Sequence, residues 1–110
     1  MKVHELQNEV FKEYQKNGYA ERWTRKYFTE HPEQFELCID LAEVGLINTE
    51  VSELLEEIRN GRVDKYGPEC ADIIIRILNF CSRREIDIEI ELIRKHQKNL
   101  AREFLHGRVI

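Results

Sequence analysis

Glu50-Val51-Ser52-Glu53-Leu54-Leu55-Glu56-Glu57-Ile58-Arg59-Asn60-Gly61 is followed, after a short gap, by Gly67-Pro68-Glu69-Cys70-Ala71-Asp72-Ile73-Ile74-Ile75-Arg76. These two stretches decide the fold. The first carries Val51, Leu54, Leu55 and Ile58 at helical intervals and stops at Asn60-Gly61. The second starts with Pro68 in the first helical turn, where a missing N–H is harmless. Its run of three isoleucines would also suit a buried strand. The flanking Glu69 to Asp72 and the stripe Ile74, Ile77, Leu78 and Cys81 favour a helix. Two helices joined by a short loop pack antiparallel.

The same periodicity extends in both directions. Upstream, Leu37, Leu41, Val44 and Ile47 prolong the first stretch back to Glu33, giving one helix over about 33–60, roughly 40 Å long. Gly45 is a place where it could bend or break. His31-Pro32-Glu33 reads as its start. Val3, Leu6, Val10 and Tyr14 predict a helix over 2–17, stopped by Gly18, and Tyr19, Trp23 and Tyr27 a short one around 20–29. Downstream, the second stretch runs from 68 to about 84. A last helix follows over 86–105 with Ile88, Leu92, Ile93, His96 and Leu100 as inward positions, ended by Gly107. The expected fold is all-α, a helical bundle of four to five helices forming a single domain over 1–110.

The chain has 110 residues, with 21 acids, 17 bases and a net charge of −4. A chain this short buries only about two-thirds of its unfolded surface, so its core is thin. The helix from 68 to 84 is apolar almost all round and should be buried on several sides. Together these predict a bundle completed by homo-oligomerisation, as a homodimer or homotetramer. Five Gly and two Pro exclude a low-complexity chain. No stretch approaches the roughly 20 apolar residues of a membrane span, and Met1-Lys2-Val3-His4-Glu5 lacks a secretory signal's apolar run. The acidic balance argues against a nucleic-acid polymer as partner. Cys38, Cys70 and Cys81 make no framework, which points to a reducing cytoplasm, and Cys70 and Cys81 share the stripe of the 68–84 helix as expected core residues.

The net charge hides an asymmetry. Residues 33–60 hold eight acids against one base, Arg59, and residues 92–110 hold five bases against one acid, Glu103. The two segments could pair as packed helices, or be the metal side and the phosphate side of one site. Spacing decides. Glu50 and Glu53 stand at i, i+3 on one helix face, and Glu57 continues it one turn on. Glu69 and Asp72 repeat the spacing on the next helix, so four or five carboxylates converge. Like charges at this spacing repel by a few tenths of a kcal/mol per exposed pair and far more when buried. The plain alternative is an acidic face with salt bridges to Arg59, Arg76 and the basic tail. Two such pairs at adjacent helix ends, with 15 residues between Glu53 and Glu69, favour a cation. Oxygen ligands suit Mg²⁺, or Mn²⁺, rather than zinc. Such an ion keeps open positions for phosphates, which makes a nucleotide polyphosphate the expected substrate.

ExxE, a spacer of one to two dozen residues, then ExxD resembles the signature of the MazG-like all-α nucleoside triphosphate pyrophosphohydrolases. The resemblance runs through Ile47–Arg59 and Glu69–Arg76 and resumes at Lys95, Asn99, Arg102 and His106-Gly107. It covers about residues 44–110, and it departs at Glu103, where members often carry Pro, and at His96, where Met is common. It implies hydrolysis between the α and β phosphates of an NTP or dNTP, giving the monophosphate and pyrophosphate, for nucleotide pool cleaning or regulation. By motif match Glu50, Glu53, Glu69 and Asp72 hold Mg²⁺, and Glu57 or Glu56 adds a ligand or positions the attacking water. Lys95, Asn99 and Arg102, at i, i+4, i+7, would meet phosphate or sugar, with Lys98 an outside candidate. Asn79 and Arg76 extend the Asp72 face and could orient the ligands or substrate. The resemblance also implies paired subunits.

Trp23, with Tyr19 and Tyr27, could stack a base or simply pack. Glu103 and His106 form a single ExxH, too little for a di-iron site. Ser52 has no histidine near it to activate it. A different class of function remains open: a non-catalytic helical dimer that serves as a protein-interaction or nucleotide-sensing module.

Overall fold

The computed structural model describes residues 1–16 and 32–102. The expected helix around 20–29, the three aromatic residues on it, Glu103 and the His106-Gly107 pair lie outside the described residues. Those described form four α-helices and one 3₁₀ turn, with no strand among them. They are α1 (Val3–Lys16), α2 (Pro32–Arg59), α3 (Tyr66–Arg83) and α4 (Ile88–Leu100), with the 3₁₀ turn at Val63–Lys65 between α2 and α3. The all-α class holds. No helix among the described residues is long and apolar enough to cross a membrane.

α2 runs unbroken through Gly45 for 28 residues, roughly 42 Å. Its end has a specific geometry. Gly61 adopts φ 67°, its N–H donates to the Ile58 carbonyl at 3.1 Å, and the Arg62 N–H donates to Glu57 at 3.0 Å. This is the left-handed cap that glycine permits without a Cβ penalty. α3 ends in the same way on a residue less suited to it. Glu85 stands at φ 57°, with Glu85 N–H on Ser82 and Ile86 N–H on Cys81 at 2.8 Å. The chain then restarts at Asp87, whose side chain accepts from the Ile90 N–H and caps α4.

α2 and α3 are antiparallel, because Glu43 pairs with Arg83 and Glu50 with Arg76. α1 packs against α3, and α4 principally against α1. The buried Gln7 donates its Nε2 to the Ile86 carbonyl at 2.8 Å, tying α1 to the α3–α4 turn. Only Ile39, Leu78 and Cys81 are buried apolar residues among those described. Burial pushes the Cys81 thiol up, which keeps it protonated and unreactive. Cys70, expected beside it in the core, is exposed, because the inward face of α3 passes one side of it.

The largest correction concerns α2. Of the apolar positions expected along it, Leu37, Leu41, Val44, Val51, Leu55 and Ile58 are between 46% and 65% exposed, while Ile47 and Leu54 are half-buried. The inward face sets these two and the buried Ile39 beside glutamates, with Glu43 and Glu50 buried. The physical reason is the row of arginines opposite. Arg83 binds Glu36, Asp40 and Glu43, Arg84 binds Glu36 and Asp40, and Arg76 binds Glu50. A buried carboxylate so paired avoids the cost of an isolated charge. Nor is α3 enclosed on all sides, since Ile74 and Ile75 are exposed.

Candidate metal centre

Glu36, Glu43, Glu50 and Glu57 repeat every seven residues along the inward side of α2. From Arg83, steps of seven back along α3 give Arg76 and then Glu69. The first two face Glu43 and Glu50, at 2.8 Å for the second. The third rung of this ladder sets acid against acid. Glu57 finds a cation elsewhere: the turn after α2 delivers Arg62, whose Nε and Nη2 donate to both Glu57 oxygens at 2.6 and 3.0 Å. That guanidinium holds the Glu57 carboxyl below the usual carboxylate range. Among the described residues Glu69 has no such partner.

Glu69 therefore joins Glu50 and Asp72. One carboxylate oxygen of each lies within 4.8 Å of the others. Glu50 is buried and held by Arg76, Glu69 is half-buried and Asp72 exposed. The Glu69 Oε2 atom is buried with no hydrogen-bond partner among the described residues. Glu53 stands one turn beyond Glu50 on the exposed rim. Its carboxyl is pushed above the usual range, chiefly by the Glu50 charge and a hydrogen bond shared with Glu50, then by partial burial and by Glu69 and Asp72. Glu53 thus registers the negative potential of the whole group.

The donor set fits a hard divalent cation. Its three oxygens lie close enough for modest side-chain rotation to bring them onto one ion. The set holds no nitrogen or sulfur donor, consistent with Mg²⁺ or Mn²⁺ over zinc. Of the residues expected to hold metal, Glu50, Glu69 and Asp72 are brought together and Glu53 flanks them. Glu57 is committed to Arg62, and Glu56 is exposed with Asn60 and Arg59 as its neighbours.

The other expected binding residues stand apart. Lys95, Asn99 and Arg102 are exposed on or just after α4, and no side-chain hydrogen bond or ion pair among the described residues joins them, or Lys98, to the acids. Asn79 is half-buried with its Oδ1 unpaired, and Arg76 is the residue that orients Glu50. Trp23 lies outside the described residues. The sequence reading missed Arg83 and Arg84, which bind the first half of the acidic helix; the seven-residue interval shared by Glu43, Glu50, Arg76 and Arg83 was the available signal. Ser52 donates its hydroxyl to the Asn48 carbonyl at 3.1 Å, which leaves it engaged within its own helix. Comparison with family models, with curated proteins and with solved structures finds no match to this chain.

Proposed function

We propose that the chain is a Mg²⁺- or Mn²⁺-dependent nucleoside triphosphate pyrophosphohydrolase of MazG-like type. It would cleave an NTP or dNTP between the α and β phosphates and release the monophosphate and pyrophosphate. The observation that carries this reading is the convergence of Glu50, Glu69 and Asp72 within 4.8 Å, with the Glu69 Oε2 buried and unpartnered among the described residues. The resemblance through ExxE and ExxD supplies the reaction class.

In this reading Glu50, Glu69 and Asp72 hold the ion, and Arg76 fixes the Glu50 carboxylate. A bound divalent ion would supply charge neutralisation on the phosphates and a more acidic water. Glu53, with its raised proton affinity at the rim, would serve as a proton acceptor beside the ion. Lys95, Asn99 and Arg102 would meet phosphate or sugar from α4 or from α4 of another subunit. The reading includes a homo-oligomer and a cytoplasmic site of action in nucleotide pool cleaning or regulation.

The test is pyrophosphate release from a panel of canonical and damaged nucleoside triphosphates, with Mg²⁺ or Mn²⁺. Release that stops with EDTA, and that falls at least a hundredfold in Asp72→Asn and Glu69→Gln, is the expected result on the order of a lost catalytic interaction. Unchanged release in both variants would sink the proposal.

The second reading, a non-catalytic interaction or nucleotide-sensing module, draws on one observation: the basic face of α4 makes no bond with the acidic cluster among the described residues. Nucleotide with Mg²⁺ that raises thermal stability without turnover selects the sensor, and no stabilisation at all selects the interaction module.

A further inference from the structure

We infer that the outward face of α2, from Leu37 to Ile58, is the docking surface for the same helix of a second copy running antiparallel to it. The face is a regular stripe. Leu37, Leu41, Val44, Asn48, Val51, Leu55 and Ile58 follow one another at alternating intervals of four and three, and all are exposed. That interval is the seam of a two-helix coil. The stripe spans roughly 32 Å along a flank of α2, about a quarter turn from the acidic ladder, and stands exposed among the described residues.

The stripe is also its own complement when reversed. An antiparallel copy sets Leu37 against Ile58, Leu41 against Leu55, Val44 against Val51, and Asn48 against Asn48, all centred at Asn48 or half a residue before it. A two-fold axis requires this self-matching. A lone Asn among apolar seam positions gives up hydration for pairing and thereby fixes register. Charge agrees with the direction. Exposed Glu33 opens α2 and Arg59 closes it, with Arg59 68% exposed and only 3.9 Å from Glu56. Reversal brings each Arg59 to the end where the other Glu33 stands, whereas a parallel pair would stack like charges and like helix dipoles.

One shoulder of the seam is built of small residues, Cys38, Gly45 and Ser52, seven apart. A Cβ on Gly45 would meet nothing within 4 Å, so no contact among the described residues calls for glycine in the middle of this helix. In the antiparallel pair Gly45 of each copy lies beside Ser52 of the other, and close approach of two backbones explains both.

The pairing rests on no part of the hydrolase reading, and the experiment separates them. Sedimentation equilibrium of the intact chain at tens of micromolar should give twice the chain mass. Val44→Glu with Val51→Glu should give the chain mass with unchanged helical circular dichroism. Gly45→Leu, which has free space inside the chain, should do the same, and it tells loss of pairing from loss of folding. Direction is read with a short bismaleimide in a Cys38→Ser, Cys70→Ser background. Leu37→Cys protein should cross-link to Ile58→Cys protein and not to itself. A wild-type monomer, a dimer that survives both sets of substitutions, or Leu37→Cys cross-linked to itself would each overturn the inference. A monomer that releases pyrophosphate overturns the pairing, and with it the homo-oligomer of the proposed reading, but leaves the hydrolysis; an inert antiparallel dimer overturns the hydrolysis alone.

Discussion

Arg83 donates to Glu36, Asp40 and Glu43 at once and lies over the Phe80 ring at 5.7 Å. Glu43 is 7% exposed, and among the described residues it receives the Tyr14 hydroxyl at 3.4 Å besides Arg83. Removing the guanidinium leaves a largely buried charge without its cation. Arg83→Met should therefore cost about 3 kcal/mol in urea unfolding, while Arg84→Met, whose own guanidinium is solvated and whose partners keep Arg83, should cost under about 1 kcal/mol. Equal losses would show that water, and not Arg83, stabilises Glu43. The same residue explains a failure of sequence reading. Composition shows an arginine near position 83, but nothing local says that three acids some forty residues upstream turn toward it.

At the scale of elements, turn chemistry decides more than propensity. The α2 cap uses glycine at its left-handed position, and the α3 cap uses Glu85. A side chain at that φ is crowded, so Glu85→Gly should stabilise the chain by about 1 kcal/mol, seen as a rise in urea midpoint with unchanged slope. A loss of stability would mean that the Glu85 side chain makes a contact outweighing the strain. Helix existence was legible throughout the described residues, since heptads and Gly, Pro and Asp punctuation set it locally. The meeting of Glu50 with Glu69 and Asp72 was legible too, because a short loop between helices leaves little choice of packing. Which face of α2 turns inward was not. Leu41 and Glu43 sit two residues apart, and periodicity reports a stripe without saying which surface covers it. The direction of Lys95 and Asn99 was equally hidden, since the helix carrying them packs on α1 through contacts between residues some eighty apart.

At the scale of the whole molecule, the three buried apolar side chains among the described residues are a small core for the helices they join. Such a chain depends on its ionic rungs and on whatever ligand its folded state alone can bind. Adding millimolar Mn²⁺ should raise Tm, because the unfolded chain does not assemble Glu50, Glu69 and Asp72. The pH dependence follows from Glu53. Its folded-state proton affinity is raised above the ordinary 4.5, so in the window just above that value the metal-free fold holds more protons than the unfolded chain. Metal-free stability then falls as pH rises through the window. A bound cation reverses the repulsion and expels the proton, so the Mn²⁺-induced rise in Tm should be larger at pH 7 than at pH 5. A pH-independent rise would place the ion away from these carboxylates.

The rungs along α2 and α3 recur at a fixed interval, and only one alignment satisfies Glu43 with Arg83 and Glu50 with Arg76 together. A slip of one heptad would leave a rung empty, and a slip of one turn would drive acids onto apolar side chains. The short loop sets the two helices antiparallel, and the rungs then write the alignment along their lengths. A chain nicked between Arg62 and Tyr66 would still carry, in its rungs, the instructions for matching its two halves.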